Sequence, residues 1–268
     1  MTPLPRRTAL AGAAALPLLA LGAGPAAAGP RRTTLYVAGD STASAYTAAE
    51  APRAGWGQAL PAFATVHLAV ADRALSGASS KSFADLGLLD GILADIRAGD
   101  LLLVSFGHND EKTSDPARGT DPYTTYQAYL RRYLDGARER GALPVLVTSV
   151  ERRRFDAAGH AHASHGLYPQ AMRDLAAAEQ VPLIDLQALS LAAWERLGPE
   201  GTKAHFLWLA AGGNYPAGVA DNTHFQAHGA VELARTVARE LLRQCLLRPS
   251  CLRRLDDPVP DGAITWLP

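Results

Sequence analysis

Short apolar runs alternate with segments of helical periodicity along almost the whole chain, and this alternation constrains the fold more than any other feature. The apolar runs predict strands over 35–38, 65–70, 101–106, 144–149 and 181–185. The periodic segments predict helices over 56–62, 82–96, 122–140, 168–179 and 227–245, a further helix ending near 197, and mostly loop over 198–220. Strands that alternate with helices form a parallel sheet covered on both faces. We therefore predict an α/β fold, a three-layer α/β/α doubly wound sandwich with a five-stranded parallel sheet.

The first 28 residues have the layout of an export signal. Arg6 and Arg7 precede an alanine- and leucine-rich run, and Ala26-Ala27-Ala28 offers a small-residue cleavage site. Paired arginines are typical of the twin-arginine route. A membrane anchor is the alternative, but the strongly apolar part is short and ends in Ala-Gly-Pro. We predict that 1–28 is cleaved, which leaves 29–268 as a single secreted domain without membrane attachment.

The charge balance argues against a polyanionic partner. The chain has 26 basic and 26 acidic residues, so loss of Arg6 and Arg7 leaves 24 basic against 26 acidic. Proteins that bind nucleic acid through its phosphates need an excess of Lys and Arg. We therefore expect no nucleic-acid partner, and we expect a monomer. The two cysteines, Cys245 and Cys251, predict a disulfide in an exported chain, which would tie the tail to the last helix.

A sharp turn, Gly39-Asp40-Ser41, follows the first predicted strand. Glycine allows a tight turn and close approach to the backbone, and open α/β sheets bind their ligands at the carboxyl ends of the strands. The position favours Ser41 as a nucleophile. An Asp-Ser helix cap is the other interpretation of this tripeptide.

Asp221 and His224 are three residues apart, immediately before the last predicted helix. A carboxylate can hold an imidazole in the tautomer that accepts a proton from a serine hydroxyl. The spacing favours Asp221 as the orienting acid and His224 as the base toward Ser41. The alternative is that Asp221 only caps the helix and His224 is a surface side chain.

Three further groups fit the stabilisation of the negative charge that ester hydrolysis builds on a carbonyl oxygen. The backbone N–H groups of Ser41 and Gly77 and the side-chain amide of Asn109 are candidate donors. Ordinary turn chemistry also accounts for a glycine in a loop and for Asn-Asp after a strand.

A cluster of histidines, His160, His162 and His165, has a spacing that could hold a metal ion. The same segment contains Gly159 and Ser164 and is typical of an exposed loop. We therefore expect no metal and no cofactor.

Together these stretches resemble the GDSL, or SGNH, hydrolase superfamily, and within it the rhamnogalacturonan acetylesterase family. The resemblance runs from about 34 to 243 and rests on the order and spacing of segments that are individually weak: Gly39-Asp40-Ser41, Gly77, 79–83, Gly107-His108-Asn109-Asp110, 165–169 and 221–225. It implies a flavodoxin-like sandwich without a metal, with Ser41, His224 and Asp221 as the catalytic triad. It also implies an oxyanion hole built from Ser41, Gly77 and Asn109. Asp72 stands where relatives often have Asn, and Ala78 where many have Arg.

The resemblance implies an exported esterase that removes acetyl groups from pectic rhamnogalacturonan or a related plant polysaccharide, so the expected partner is an acetylated polysaccharide. As substrate contacts we expect Asp40, His108, Trp56 and Tyr215. One alternative is an esterase of the same fold that acts on xylan acetates, lipid esters or thioesters. The other is a carbohydrate-binding relative without activity.

Overall fold

The computed structural model describes residues 32–268 together with Met1, so the predicted export signal lies, apart from Met1, outside the described residues. Arg32–Pro268 forms one compact unit. Within this range no helix combines the length and apolarity needed to span a bilayer.

A five-stranded parallel sheet lies at the centre of the unit, in the strand order β2-β1-β3-β4-β5. Its strands are β1 Thr33–Gly39, β2 Leu68–Asp72, β3 Leu101–Ser105, β4 Leu143–Val147 and β5 Leu183–Ile184. Strands β1 and β3 occupy the middle and end together, because Gly39 pairs with Ser105. This order is that of a doubly wound, flavodoxin-like sheet. The predicted fold class is confirmed.

Helices cover both faces of the sheet. They are α1 Trp56–Ala59, α2 Ser80–Asp85, α3 Leu88–Asp95, α4 Gln127–Glu139, α5 Tyr168–Glu179, α6 Leu186–Gly201 and α7 Ala227–Arg243. Alternate strand residues face two separate cores. Val37 and Leu103 pack with α1, α6 and α7, whereas Ala38 and Leu102 pack with α2, α3, α4 and α5. Both faces of each central strand are therefore buried, which explains their unbroken apolar runs.

The predicted helix over 82–96 is wrong as a single element. Gly87 has a φ of 75° and separates α2 from α3. A left-handed residue cannot continue a right-handed helix, and glycine adopts this conformation at little cost. Leu86, directly before this glycine, is consequently 67% exposed.

A two-stranded antiparallel hairpin, β6 Phe206–Leu209 with β7 Val219–Phe225, lies partly within the segment predicted as mostly loop. Strand β6 is a run of four apolar residues. Phe206 and Phe225 are buried in the core beneath α7, which anchors the hairpin to the sandwich. This hairpin carries two of the predicted catalytic residues.

Cys245 and Cys251 are free thiols in the structure, contrary to the predicted disulfide. Cys245 is exposed just after α7, at a residue with a φ of 56°. The chain then turns back and packs Cys251 into the core, where its carbonyl accepts a hydrogen bond from Thr65 N at 3.0 Å. The two side chains therefore occupy different environments, one in solvent and one in the interior.

Candidate active site

Ser41 lies in a rigid turn at the carboxyl end of β1. The Asp40 carboxylate accepts hydrogen bonds from Thr42 N at 2.9 Å and Thr42 Oγ1 at 2.8 Å. Tyr46 donates its hydroxyl to the Ser41 carbonyl at 2.6 Å. Burial raises the pKa of Asp40, against the hydrogen bonds from Thr42 that lower it. These contacts hold the serine backbone from both sides, so its hydroxyl has a fixed direction.

The Asp221–His224 tetrapeptide forms a bulge in β7. Phe206 pairs with Phe225 and Trp208 pairs with Ala220, so four residues of β7 lie opposite the single residue Leu207. The extra residues of a bulge leave the ladder and redirect their side chains. In a regular strand, residues three apart would point to opposite faces. The bulge is what allows Asp221 and His224 to meet.

The three side chains form a hydrogen-bonded chain. His224 Nδ1 lies 2.6 Å from Asp221 Oδ2, and His224 Nε2 lies 3.0 Å from Ser41 Oγ. The other Asp221 oxygen accepts from the backbone N–H groups of Thr223 at 2.7 Å and His224 at 3.0 Å. Burial opposes ionisation, but these hydrogen bonds and the charge of His224 lower the pKa of Asp221 to about 2. The structure therefore joins an ionised acid, an imidazole and a hydroxyl in one line.

The candidate oxyanion donors lie beside this line. In residues 32–268, neither the Ser41 N–H nor the Gly77 N–H donates to a protein acceptor. Gly77 has a φ of 84°, a conformation that favours glycine, and an added Cβ there would meet nothing within 4 Å. Asn109 Nδ2 donates to the Ala78 carbonyl at 2.9 Å, which ties the Asn109 side chain to the Gly77 loop. Backbone N–H groups without a protein acceptor can donate to a developing negative charge.

Gly107 allows the segment that carries Asn109 to leave β3 while passing very close to Ser149. A Cβ at Gly107 would lie 2.1 Å from Ser149 Oγ, so only glycine fits there. Asp110, directly after Asn109, is fully buried and accepts from Ser80 Oγ at 2.5 Å and Ser80 N at 3.1 Å. Burial raises the pKa of Asp110 to about 7. The carboxylate thus fastens the Asn109 segment to the start of α2.

Asn222 was missed as a functional residue, although it lies within the predicted Asp221–His224 motif. Its Oδ1 accepts from Arg153 Nη1 and from Trp208 Nε1, both at 3.1 Å, and its carbonyl accepts from Arg153 N at 2.9 Å. Arg153 also lies over the Trp208 ring, 4.7 Å from its centroid. Three contacts on the middle of the bulge hold its ends, and therefore the triad, in place.

Three of the predicted substrate contacts are buried, and their role stays a prediction. Asp40, Trp56 and His108 are at most 4% exposed. Asp40 supports the nucleophile turn, and Trp56 packs in the core beneath α7. His108 bonds the Val150 carbonyl through Nε2 at 3.1 Å. Tyr215 is partly exposed, with its hydroxyl on the Glu50 carbonyl at 2.8 Å, and its role stays a prediction.

In the described part of the chain, His160, His162 and His165 do not come together as a ligand set. His160 is exposed and pairs with Glu195 at 2.8 Å, whereas His165 is buried and pairs with Glu111 at 2.9 Å.

His165 instead approaches His108 and Glu111, with ligand atoms within 4.8 Å of one another. Arg152 donates to Glu111 at 2.8 Å and lies 3.2 Å from His165 Nδ1, so its guanidinium supplies the cation of this cluster. The residues fit a partly buried ion-pair network better than an open metal site.

Comparison with known proteins identifies the family. A model of the GDSL-like lipase/acylhydrolase family matches residues 37–231, most of the chain. The chain belongs to this family. The matched range includes the Ser41 turn, the Gly77 loop, Asn109 and the Asp221–His224 bulge. As a member of the GDSL family, the protein is a carboxylic ester hydrolase.

Two Bacillus subtilis proteins are similar over most of their length. Rhamnogalacturonan acetylesterase RhgT is 47% identical over 206 residues, which cover 76% of this chain and 87% of RhgT. The probable rhamnogalacturonan acetylesterase YesY is 41% identical over 205 residues, covering 76% and 90% respectively. The crystal structure of Bacillus subtilis YxiM superposes with a TM-score of 0.69 at 30% identity, over 81% of this chain and 58% of that one.

Proposed function

We propose that this GDSL hydrolase is an exported carbohydrate acetylesterase that removes acetyl groups from rhamnogalacturonan. The observation that carries the proposal is the unbroken line Ser41–His224–Asp221, with hydrogen bonds of 3.0 and 2.6 Å, in a chain 47% identical to RhgT. These two hydrogen bonds favour an active esterase over the catalytically inactive alternative.

The geometry supports a two-step acyl transfer. Ser41 Oγ attacks the acetyl carbonyl carbon while His224 Nε2 takes the hydroxyl proton. The carbonyl oxygen, now negatively charged, faces the N–H groups of Ser41 and Gly77 and the Asn109 amide. Collapse breaks the bond to the sugar oxygen, which takes the proton from His224, so the sugar leaves with a free hydroxyl group. Water then attacks the acetyl-serine carbonyl while His224 takes its proton, and collapse of this second intermediate returns that proton to Ser41 Oγ and releases acetate.

Polar groups around the triad favour a short acyl group. The side chains next to the donors and the bulge include those of Ser76, Asn109, Lys112 and Asn222. A lipase gains about 0.8 kcal/mol from each buried acyl methylene, and such a gain needs an apolar groove. We therefore favour acetate over long acyl chains, with affinity supplied by the polymer.

Acetate release from a substrate panel tests the proposal. The wild-type protein and Ser41→Ala would be incubated with acetylated rhamnogalacturonan, acetylated xylan, aryl acetate and aryl octanoate. We expect rapid aryl acetate hydrolysis, more acetate from rhamnogalacturonan than from xylan, and no activity of Ser41→Ala. Faster cleavage of octanoate would reject the carbohydrate assignment, and preference for xylan would correct the polymer only.

The export part of the proposal rests on Arg6, Arg7 and the alanine-rich cleavage site. Mass spectrometry of protein from the culture medium should find a chain that begins near Gly29. Replacing both arginines by lysine should retain the protein in the cell. Secretion of the double variant at the normal level would exclude the twin-arginine route.

A further inference from the structure

Both ends of the Asn109 side-chain amide are held. Nδ2 donates to the Ala78 carbonyl at 2.9 Å, and Oδ1 accepts from Lys112 Nζ at 2.8 Å. A primary amide has two N–H donors, so one N–H remains for a ligand. Asn109 itself is buried, so its amide cannot turn freely into solvent. The contacts on Oδ1 and Nδ2 determine which end of the amide faces the Gly77 loop.

Lys112 is an unusual lysine because its close partner is a neutral amide oxygen. In residues 32–268, Lys112 forms no ion pair, and the acids near it in sequence are bonded elsewhere. Asp115 pairs with Arg118 at 2.6 Å, and Glu111 pairs with Arg152 at 2.8 Å. Partial burial and the charges of Arg118 and Arg152 lower the pKa of Lys112, although the charges of Asp115 and Asp40 act in the opposite direction. In the described residues neither carboxylate pairs directly with the ammonium, and its hydrogen-bond partner is the Asn109 amide.

A cation on the oxygen of an amide has two effects on the N–H groups at the other end. It makes the flipped amide unfavourable, because flipping would place two donors against the ammonium. It also draws electron density toward Oδ1, which makes each N–H a stronger donor, as in any polarised hydrogen-bond chain. Both effects favour a negatively charged acceptor over a neutral carbonyl. They therefore act on the transition state more than on the bound ester.

We propose that Lys112 is a positioning residue for the oxyanion hole, and that it acts through Asn109 by orienting and polarising its amide. This inference rests on the proposed ester hydrolysis and on the role assigned to Asn109 in it. It assigns a function to the residue three positions after Asn109, where the chain turns back and Lys112 N donates to the Asn109 carbonyl at 3.2 Å. That turn brings the ammonium behind the amide.

Steady-state kinetics on aryl acetate tests the inference. We expect Lys112→Met to lower kcat about tenfold with KM changed less than about twofold, a fraction of the 10²–10³ lost when an oxyanion donor is removed. Lys112→Arg retains a cation and should recover most of kcat. Lys81→Met is the matched control, since Lys81 pairs with Asp85 on the surface of α2, and it should match the wild type.

A double variant separates a role through Asn109 from a general effect. In an Asn109→Ala background, Lys112→Met should change kcat less than about twofold, because the amide it acts on is gone. An unchanged kcat in Lys112→Met, a change in KM alone, or a full tenfold loss in the Asn109→Ala background would each overturn the inference. If Asn109→Ala itself keeps wild-type kcat, the proposed oxyanion hole fails instead. Circular dichroism checks that each variant is folded, and Lys112→Gln replaces Lys112→Met if the latter is not.

Discussion

Asp221 and His224 are three residues apart on one strand, yet their side chains are joined by a hydrogen bond of 2.6 Å. The bulge in β7 makes this possible, and the same carboxylate also accepts the backbone N–H of His224 at 3.0 Å. Asp221 therefore both holds the imidazole and shapes the turn that presents it. Because Asp221 has both roles, its substitution is the most informative test of the site.

Replacing Asp221 by Asn should lower kcat by about 10⁴, as expected when an orienting carboxylate becomes an amide. The amide no longer stabilises the imidazolium, and its NH₂ end favours the wrong imidazole tautomer. Aryl acetate kinetics measure the loss. Asp135→Asn is the control, because Asp135 lies on the surface 3.8 Å from Arg138. A decrease of less than tenfold would mean that another group orients His224.

Replacing Ser41 by Ala should remove ester hydrolysis and leave folding and polymer binding intact. The change deletes only Oγ, which lies 3.0 Å from His224 Nε2, while Tyr46 still donates to the residue 41 carbonyl. Trapping of an acetyl group, followed by mass spectrometry, should label the wild type and not the variant. Acetylation of the variant would place the nucleophile elsewhere.

Replacing Asn222 by Ala should lower kcat severalfold and the free energy of unfolding by about 1 kcal/mol, the usual contribution of a side-chain hydrogen bond. The change removes Asn222 Oδ1, which accepts from both Trp208 Nε1 and Arg153 Nη1. Trp208→Phe removes one of the two donors and should cause a smaller loss of the same kind. Urea unfolding and kinetics together measure both effects. If Asn222→Ala keeps the wild-type kcat, the bulge keeps its shape without the hydrogen bonds of the Asn222 side chain.

Replacing Asp72 by Asn, the residue that relatives often carry there, should change how stability depends on pH. Burial raises the pKa of Asp72 to about 7, against a hydrogen bond from Ala74 N, and Oδ2 has no partner in the described residues. Although the residue as a whole is partly exposed, this oxygen is enclosed beside Gly57. The unfolded chain releases its proton near pH 4, so the wild type loses stability between about pH 4 and pH 7.

The Asn variant has no such loss, and above pH 7 it should be more stable than the wild type by up to about 4 kcal/mol. Below pH 4 the carboxyl is protonated in both states and this difference disappears. Urea midpoints at pH 4 and pH 8 provide the comparison. A difference that is the same at both pH values would show that the carboxylate is solvated.

The free thiols should differ in reactivity. Cys245 is exposed and Cys251 is buried, so a thiol reagent should modify Cys245 in the native protein and Cys251 only after unfolding. The Cys245→Ser variant should not react with the reagent while folded, and its Cys251 should still react after unfolding. Absence of any reactive thiol in unfolded, unreduced protein would restore the disulfide that the even cysteine count predicts.

Much of the fold follows from local patterns. The alternation of apolar runs with helical periodicity predicts five parallel strands covered on both faces, because strands buried on both sides are rich in consecutive apolar residues. The buried stripe of the last helix, Val231, Ala234, Ala238 and Leu241, has the spacing of a single helix face and is entirely in the core. The candidate triad could also be named from the sequence, since Ser41 follows a strand and Asp221 and His224 form a compact motif.

Tertiary structure decided the features that depend on distant partners. Spacing alone could not show that Asp40, Trp56 and His108 are enclosed, because burial depends on what packs over a residue and not on its neighbours in the chain. The β7 bulge arises from the register in which β7 pairs with β6, and spacing along the chain does not show that register. Lys112 is an exposed lysine, and only the turn after Asn109 shows that its ammonium reaches the amide. The sequence alone determined which chemical groups are available, and the register and packing of separate segments determined which of them meet.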